Sequence, residues 1–357
     1  MSRGASGRSG VVFPPHRRFF QTRQNKKVTK LPERLDALKR WLESELEFRD
    51  YTINPASSDA SFRRYLRVVH NGENFIVMDA PPAREDSQPF ITVSRLLFDA
   101  GLNVPEVIDA DLAQGFLLLS DLGSELYLDA LDDGSRERLY GDALAGLAVI
   151  QACPTGELPL YDREFLLREM ELFREWLLGK HLGLSLTDAQ SDMLDDAFAL
   201  LADNALAQPK VFVHRDYHSR NLMVTGSNNP GILDFQDAML GPVTYDLVSL
   251  LRDCYIKWPV EQVDDWALGY HRLALQSGIL RKEHDDPALF LRWFDLMGAQ
   301  RHLKAAGIFT RLNHRDGKPG YLADIPRTLS YITDLADRQP DLAPLCVFID
   351  KEVLSRL

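Results

Sequence analysis

Residues 211–238, VFVHRDYHSRNLMVTGSNNPGILDFQDA, place four polar side chains of particular types among short apolar runs. The runs NLMVTG and GILDFQ have the length and composition of strands, and NNPG between them is typical of a turn. His214 and Asp216 precede the first run, Asn221 begins it, and Asp234 lies within the second. Because the flanking sequence has a helical period, this part of the chain must fold as helices that carry one embedded hairpin.

The sequence before residue 124 has a different pattern. An amphipathic helix is predicted from Leu31, followed by alternating strand patterns in residues 62–80, a helix that ends at Gly101, and an apolar strand in GFLLLSDLG. We therefore predict an α+β protein of two lobes. The predicted division is a disordered basic tail in residues 1–30, a helix and a β-rich lobe in residues 31–123, and a helical lobe with the hairpin in residues 124–357.

Composition excludes several classes of protein. The 357-residue chain has a net charge of −11, although residues 1–30 hold eight Lys and Arg and no acid. An acidic body argues against a nucleic-acid partner, and no apolar run is long enough for a membrane span. Three cysteines far apart indicate neither a disulfide framework nor a zinc site, and favour a cytoplasmic protein. No feature identifies a protein partner.

The basic tail has three interpretations. It is a disordered terminus, a start site assigned too early, or an organelle transit peptide, since such peptides are rich in Arg and Ser and poor in acids. It has no apolar segment of the kind that a secretory signal needs.

The four polar residues of the hairpin have the types that phosphoryl transfer from ATP requires. A carboxylate orients the acceptor hydroxyl and takes its proton, a role that suits Asp216. Mg²⁺ prefers oxygen ligands, and Asn221 and Asp234 supply an amide and a carboxylate. Single Asp and Asn residues at strand ends are usually turn formers, so the hypothesis depends on the whole set and its spacing.

HRDYHSRNLMV and GILDFQDA together resemble the aminoglycoside phosphotransferase and choline kinase-like family, relatives of the protein kinases. SSDASFRRYLRV and GPVTYDLVSLLRDCYIKWP further resemble the bacterial kinases that phosphorylate the anomeric C1 hydroxyl of N-acetylmuramate and N-acetylglucosamine. The resemblance implies a two-lobed protein-kinase-like fold. It also implies that Asp216 is the catalytic base, that His214 braces its loop, that Asn221 and Asp234 hold Mg²⁺, and that the buried acid Asp246 fixes the loop.

The same resemblance assigns the nucleotide site to the β-rich lobe. The backbone of Ser120 and Leu122 matches the linker that binds adenine, and a turn over the phosphates contains Ser57, Ser58, Asp59 and Ser61. Relatives commonly use a strand lysine here, but this chain has Met78 near the expected position. Arg63 or Arg64 is the candidate replacement, because guanidinium suits phosphate, and the strand register decides between them. Otherwise both are solvated strand charges.

The acceptor site is expected in the helical lobe. Gln300, Arg301 and Lys304 share a helix, and a cation there would suit the lactyl carboxylate of N-acetylmuramate. The alternative is an ordinary solvated basic face. Asp237 either accepts a hydrogen bond from a sugar hydroxyl or is a turn residue. Trp293 and Tyr255 either stack on a sugar ring or belong to the core.

We therefore predict an ATP- and Mg²⁺-dependent kinase with a small amino-sugar acceptor, phosphorylated at its anomeric hydroxyl in peptidoglycan recycling. Two alternatives remain: an aminoglycoside or other small-molecule kinase of the same fold, and a non-catalytic nucleotide-binding regulator, which the missing lysine suggests. A protein kinase is disfavoured, because only a short segment follows Asp234 before GPVTYDL.

Overall fold

The computed structural model describes residues 31–57, 63–156 and 158–357. They divide into two compact units, of which the first contains the described residues up to Ser124 together with Met223–Gln236. The second contains those in Glu125–Leu222 and Asp237–Leu357. The predicted tail, residues 1–30, lies outside the described residues, as do Ser58, Asp59 and Ser61 of the predicted phosphate turn.

The first unit is built on a five-stranded antiparallel sheet. Its strands are β1 (Thr52–Ser57), β2 (Arg64–His70), β3 (Glu73–Asp79), β4 (Val107–Asp111) and β5 (Phe116–Ser120), in the order β1-β2-β3-β5-β4. Its helices are α1 (Leu31–Ser44) and α2 (Gln88–Asp99), and α2 ends before Gly101, as predicted. Leu38 and Leu42 of α1 are buried against Val68 and Val77 of the sheet, which closes a small core.

Local sequence explains the hairpin of β2 and β3. His70 pairs with Glu73, and the two residues between them, Asn71 and Gly72, have φ angles of 52° and 83°. Asn-Gly is the preferred pair for such a two-residue turn, because both positions need positive φ. The turn therefore fixes the register that places Arg64 opposite Asp79.

The second unit is mostly helical. Its α-helices are α3 (Tyr127–Ala130), α4 (Arg136–Ala152), α5 (Arg163–Leu172), α6 (Asp188–Ala207), α7 (Tyr245–Leu251), α8 (Val260–Gln276), α9 (Pro287–Asp316), α10 (Ile325–Thr333) and α11 (Ala343–Phe348). A π-helical segment, Phe173–His181, continues α5, and short 3-10 or π-helical segments follow α8, α9, α10 and α11. Strands β6 (Lys210–Val213) and β9 (Met239–Pro242) form an antiparallel pair. The strands of the first unit and the helices of the second confirm the predicted α+β class.

Helix α9 is the central element of the second unit. It runs for 30 residues from the N-cap Asp286, whose carboxylate accepts backbone N–H groups, to Gly317, which adopts a left-handed φ of 66°. A Cβ at Gly307 would stand 2.4 Å from the carbonyl carbon of Leu172, so glycine is required for this close approach of α9 to α5. Polar residues of α9, including Gln300 and Lys304, are thereby carried into the interior.

The embedded hairpin has shorter strands than the sequence predicts, β7 (Leu222–Met223) and β8 (Gly231–Ile232). Thr225 donates its backbone N–H to the side chain of Asn229 at 3.0 Å, which closes the turn early. Asp234 has a φ of 63°, which ends the second strand. Within the first unit, Ile232 donates its N–H to the carbonyl of Asn103 at 2.8 Å.

None of the described helices is both long and apolar enough to cross a membrane.

Candidate active site

The predicted catalytic residue Asp216 lies in a tight turn that follows β6. His218 donates its backbone N–H to the Asp216 carbonyl at 3.1 Å, and the Asn221 side-chain amide donates to the same carbonyl at 2.9 Å. The Asp216 N–H in turn donates to Nδ1 of His214 at 3.2 Å. In the second unit, the structure therefore brings together three of the four residues that the sequence singled out.

Asp246, at the start of α7, fixes the entry to this turn. It is fully buried, and its two carboxylate oxygens accept the backbone N–H groups of His214 at 2.6 Å and Arg215 at 2.9 Å. Arg215 has a φ of 80°, a conformation that a non-glycine residue keeps only where its surroundings hold it. Burial raises the pKa of Asp246 to about 7, although both N–H donors act in the opposite direction.

Four basic side chains keep Asp216 ionised. Burial alone would raise its pKa, but Lys304, His218, Arg215 and Arg301 lower it, and the balance is a pKa of about 2. A carboxylate with such a low pKa is fully charged at neutral pH. It can therefore accept a hydrogen bond from a hydroxyl and orient that hydroxyl for attack.

A buried carboxylate that the sequence analysis missed joins two of these cations. Glu169 of α5 accepts hydrogen bonds from Nη2 of Arg215 at 2.7 Å and from the hydroxyl of Tyr161, and Nζ of Lys304 lies 3.1 Å from its carboxylate. Lys304 also donates to the hydroxyl of Tyr245 at 2.8 Å. Glu169 was detectable, because it stands on the buried stripe of its helix, where a charged residue usually needs a partner.

The residues predicted to bind the acceptor differ in their exposure to solvent. Gln300 is fully buried, and within the described part of the chain its amide oxygen and nitrogen have no hydrogen-bond partner. Arg301 is buried, with Nη1 at 3.7 Å from the sulfur of Cys254. Asp237 is exposed. Trp293 is buried in the core, and Tyr255 is half-buried beside His218.

The arginines of the predicted phosphate hairpin are both paired in the first unit. Arg64 and Arg34 bind opposite oxygens of the fully buried Asp79, with Nε–O distances of 3.0 and 2.8 Å. Arg63 lies 3.4 Å from the carboxylate of Glu85. Neither arginine is a simple solvated strand charge, because each is already held by an acid.

The predicted adenine linker continues from β5. Ser120 donates its backbone N–H to the Glu106 carbonyl at 3.0 Å, and its hydroxyl accepts the Glu106 N–H at 2.9 Å. Leu122 lies against the embedded hairpin, since a Cβ at Gly231 would stand 3.0 Å from its side chain. Both residues belong to the first unit.

The two predicted metal ligands supply suitable donor atoms, each within its own unit. The Asn221 amide nitrogen is engaged with the Asp216 carbonyl, which leaves the amide oxygen as its ligand atom. The Asp234 carboxylate is oriented by a 2.7 Å hydrogen bond from Gln236. The described residues contain no group of three His, Cys, Asp or Glu that could hold a metal. Amide and carboxylate oxygens are each a type of donor that Mg²⁺ accepts in proteins, where phosphate oxygens and water commonly complete its ligands.

Comparison with known proteins gives matches along most of this chain. A sequence profile described as the phosphotransferase enzyme family matches residues 52–284. An N-acetylmuramate/N-acetylglucosamine kinase of Pseudomonas putida is 47% identical over 323 residues, covering 87% of this chain and 94% of that protein. One from Pseudomonas aeruginosa is 48% identical over 293 residues, covering 82% and 86%.

A solved structure shares the fold. The ADP-bound aminoglycoside phosphotransferase APH(2'')-Ib superposes with a TM-score of 0.55 at 16% identity, covering 83% of this chain and 97% of that one. At that identity the similarity shows a shared fold only, whereas the sequence matches above show membership of a family. The profile covers well over half of the chain and the two Pseudomonas kinases are nearly half identical to it, so this chain belongs to the phosphotransferase enzyme family.

Proposed function

We propose that this chain is an ATP-dependent kinase that phosphorylates N-acetylmuramate and N-acetylglucosamine. The observation that carries the proposal is the 47% identity to a kinase of that name along 94% of its length. The aminoglycoside phosphotransferase shares only the fold at 16% identity, and therefore gives no reason to prefer an antibiotic substrate.

The acceptor atom that we propose is the anomeric hydroxyl, which gives a sugar 1-phosphate for peptidoglycan recycling. In the reaction, the hydroxyl oxygen forms a bond to the γ-phosphorus while the bond from that phosphorus to the β,γ-bridging oxygen breaks. ADP leaves with the electron pair, and the hydroxyl proton passes to Asp216 and then to solvent. The ionised state of Asp216 and the bonds that fix its turn support the role of base.

The nucleotide roles follow the same reasoning. Asn221 and Asp234 would hold Mg²⁺, which neutralises phosphate charge when it is bound. The backbone of Ser120 and Leu122 would face adenine, and the turn from Ser57 would cover the phosphates. Arg63 and Arg64 remain the candidates for the missing strand lysine, and each would have to share its guanidinium with the acid that now holds it.

Of the residues expected to bind the acceptor, Lys304 and Arg301 receive a different proposed role. Lys304 is bonded to Glu169 and Tyr245, and together with Arg301 it lowers the pKa of Asp216, so we propose that both cations support the base. Gln300 and Asp237 remain candidates for sugar hydroxyls. The three buried free cysteines, Cys153, Cys254 and Cys346, suit the cytoplasmic location that we propose.

The test is ATP consumption by the purified chain with N-acetylmuramate, N-acetylglucosamine, glucosamine, kanamycin and choline. Phosphorus NMR of the product locates the new bond. A sugar 1-phosphate from the N-acetyl sugars is the expected result. Turnover of kanamycin alone would replace the proposal with an antibiotic-modifying kinase. ATP binding without turnover of any acceptor would point to a nucleotide-binding regulator.

A further inference from the structure

Arg220, in the same turn as Asp216, presents an exposed guanidinium group to two tyrosine rings. Its central carbon lies 4.7 Å from the ring centroid of Tyr255 and 5.5 Å from that of Tyr321. Among the residues that the structure describes, no acid forms an ion pair with Arg220, and no acceptor takes a hydrogen bond from it. Its donors are therefore open to a ligand.

A carboxylate that binds the residue before Arg220 is already engaged by other donors. Asp253 is buried, and its Oδ2 accepts both the N–H of Ser219 at 2.9 Å and the Ser219 hydroxyl at 2.5 Å. Its Oδ1 accepts the N–H of Tyr255 at 3.0 Å. Asp253 thus fixes the turn at Ser219, next to Arg220, and forms no ion pair with the guanidinium among the described residues.

The rings beside Arg220 form one aromatic cluster, defined here as Tyr255, Phe309 and Tyr321. Phe309 stacks on Tyr321 with centroids 5.5 Å apart, and its centroid lies 6.1 Å from that of Tyr255. Both tyrosines are half-buried, so part of each remains accessible. Aromatic side chains with a few convergent polar groups are the usual lining of a small-molecule site.

The catalytic turn connects this aromatic cluster to the base. His218, whose ring lies 5.6 Å from that of Tyr255, donates its backbone N–H to the carbonyl of Asp216. Asn221, next to Arg220, donates to the carbonyl of His218 at 2.9 Å. A molecule held against the aromatic cluster would therefore lie next to the turn that carries the base.

Three other cations of the second unit, Lys304, Arg301 and Arg311, are less suited to an incoming anion. Lys304 is bonded to Glu169, and Arg301 is buried. Arg311 is half-buried with acids among its charged neighbours, including Glu175, which would repel a carboxylate. Arg220 combines exposure, an unpaired charge and a position in the catalytic turn.

We propose that Arg220 binds the lactyl carboxylate of N-acetylmuramate against the aromatic cluster, and so sets the preference for this sugar over N-acetylglucosamine. The inference rests on the proposed function. N-acetylglucosamine lacks the lactyl group, so only N-acetylmuramate offers the planar anion that guanidinium binds through two parallel hydrogen bonds. The γ-phosphate of ATP is the other anion of the reaction, and the experiment separates the two.

The experiment compares wild type with Arg220→Met on three acceptors: N-acetylmuramate, its methyl ester and N-acetylglucosamine. In wild type, the ester should have a kcat/KM about ten- to a hundredfold below that of the free acid, the range for charge-assisted hydrogen bonds. In Arg220→Met this difference should disappear, and the ratio of kcat/KM for N-acetylmuramate to that for N-acetylglucosamine should fall by a similar factor. Arg272→Met, at an exposed arginine of α8, is the matched control for the loss of one positive charge.

Two results would overturn the inference. An equal fall on all three acceptors would assign Arg220 to the nucleotide phosphates or to the shape of the turn. Unchanged ratios would remove it from substrate recognition. Both results require wild-type turnover of the N-acetyl sugars, so they differ from failure of the proposed function, in which wild type phosphorylates none of the three.

Discussion

The guanidinium of Arg215 donates a hydrogen bond of 2.7 Å to the carboxylate of Glu169. Arg215 directly precedes the proposed base, Asp216, in the sequence. Lys304 lies on the same carboxylate at 3.1 Å. Burial raises the pKa of Glu169, but Lys304 and Arg215 outweigh burial and hold it below its ordinary value. A single buried acid thus pairs with two cations, the buried Lys304 and the largely buried Arg215, beside the catalytic turn.

Glu169→Gln should strongly destabilise the protein. The change leaves the buried Lys304 and the largely buried Arg215 without their acid. Breaking a buried ion pair on one side costs about 3–5 kcal/mol. The free energy of unfolding from urea titration measures this loss. Glu171→Gln is the matched control on the same helix, because Glu171 has a side chain that is 47% exposed in its pair with Arg174. That surface pair should contribute about 0–1 kcal/mol. Equal effects of the two changes would contradict the prediction.

Asp216→Asn should lower kcat by about 10²–10⁴-fold while the Kd for ATP changes little. The amide keeps the shape of the side chain but has neither the charge nor the basicity to take a proton from the acceptor. Steady-state ATP consumption measures kcat, and calorimetry measures nucleotide binding. A variant that retains turnover within a few-fold of wild type would remove Asp216 from the role of base.

Local patterns account for the parts of the fold that could be predicted. The Asn71-Gly72 turn fixes one hairpin, and Gly101 follows the end of α2, because turn and cap residues act on their immediate neighbours. The lengths of β7 and β8 could not be predicted in this way. They depend on the Asn229 side chain and on the conformation of Asp234.

Contacts between distant segments account for what the sequence did not reveal about the site. Lys304 was predicted from its helix neighbours as a substrate residue, yet its ammonium group is bonded to Glu169 of α5 and Tyr245 of α7. No spacing rule connects these three helices. Glu169 left one local trace, its position on a buried stripe with Leu166 and Met170, and such a charge on an apolar stripe is worth pursuing in related sequences.

Asp234→Asn should weaken Mg²⁺-dependent nucleotide binding without disturbing the fold. Asn tolerates the φ of 63° at this position nearly as well as Asp does, so the backbone is preserved and only the charge is lost. Calorimetric titration with ATP, with Mg²⁺ and then with EDTA, measures the metal-dependent part of the affinity. That part should fall by about tenfold or more, since a carboxylate is a stronger ligand for Mg²⁺ than a neutral amide. Equal metal dependence in both proteins would remove the proposed metal role.

His302 should make the protein sensitive to acid. Its ring is fully buried, stacks on Tyr331 with centroids 4.7 Å apart, and bonds through Nε2 to the Arg252 carbonyl at 2.8 Å. Burial, together with the charges of Arg301, Arg252 and Lys257, lowers its pKa to about 3. The pKa of this histidine in the unfolded chain is about 6.5, so between pH 3 and pH 6.5 the unfolded chain binds a proton that the folded chain does not bind. The free energy of unfolding is therefore highest above this range and falls as the pH falls through it.

The substitution His302→Gln keeps a nitrogen donor for the Arg252 carbonyl and removes the titration. Relative to this variant, wild type should lose up to about 1.4 kcal/mol of unfolding free energy for each pH unit below 6.5. Urea titrations of both proteins at several pH values between 7.5 and 4.5 give this difference directly, since the carboxylates titrate alike in both. Parallel curves for the two proteins would show that His302 is not a source of acid sensitivity. If the unfolding free energy of wild type falls relative to that of the variant as the pH falls, the buried imidazole is held neutral in the folded protein.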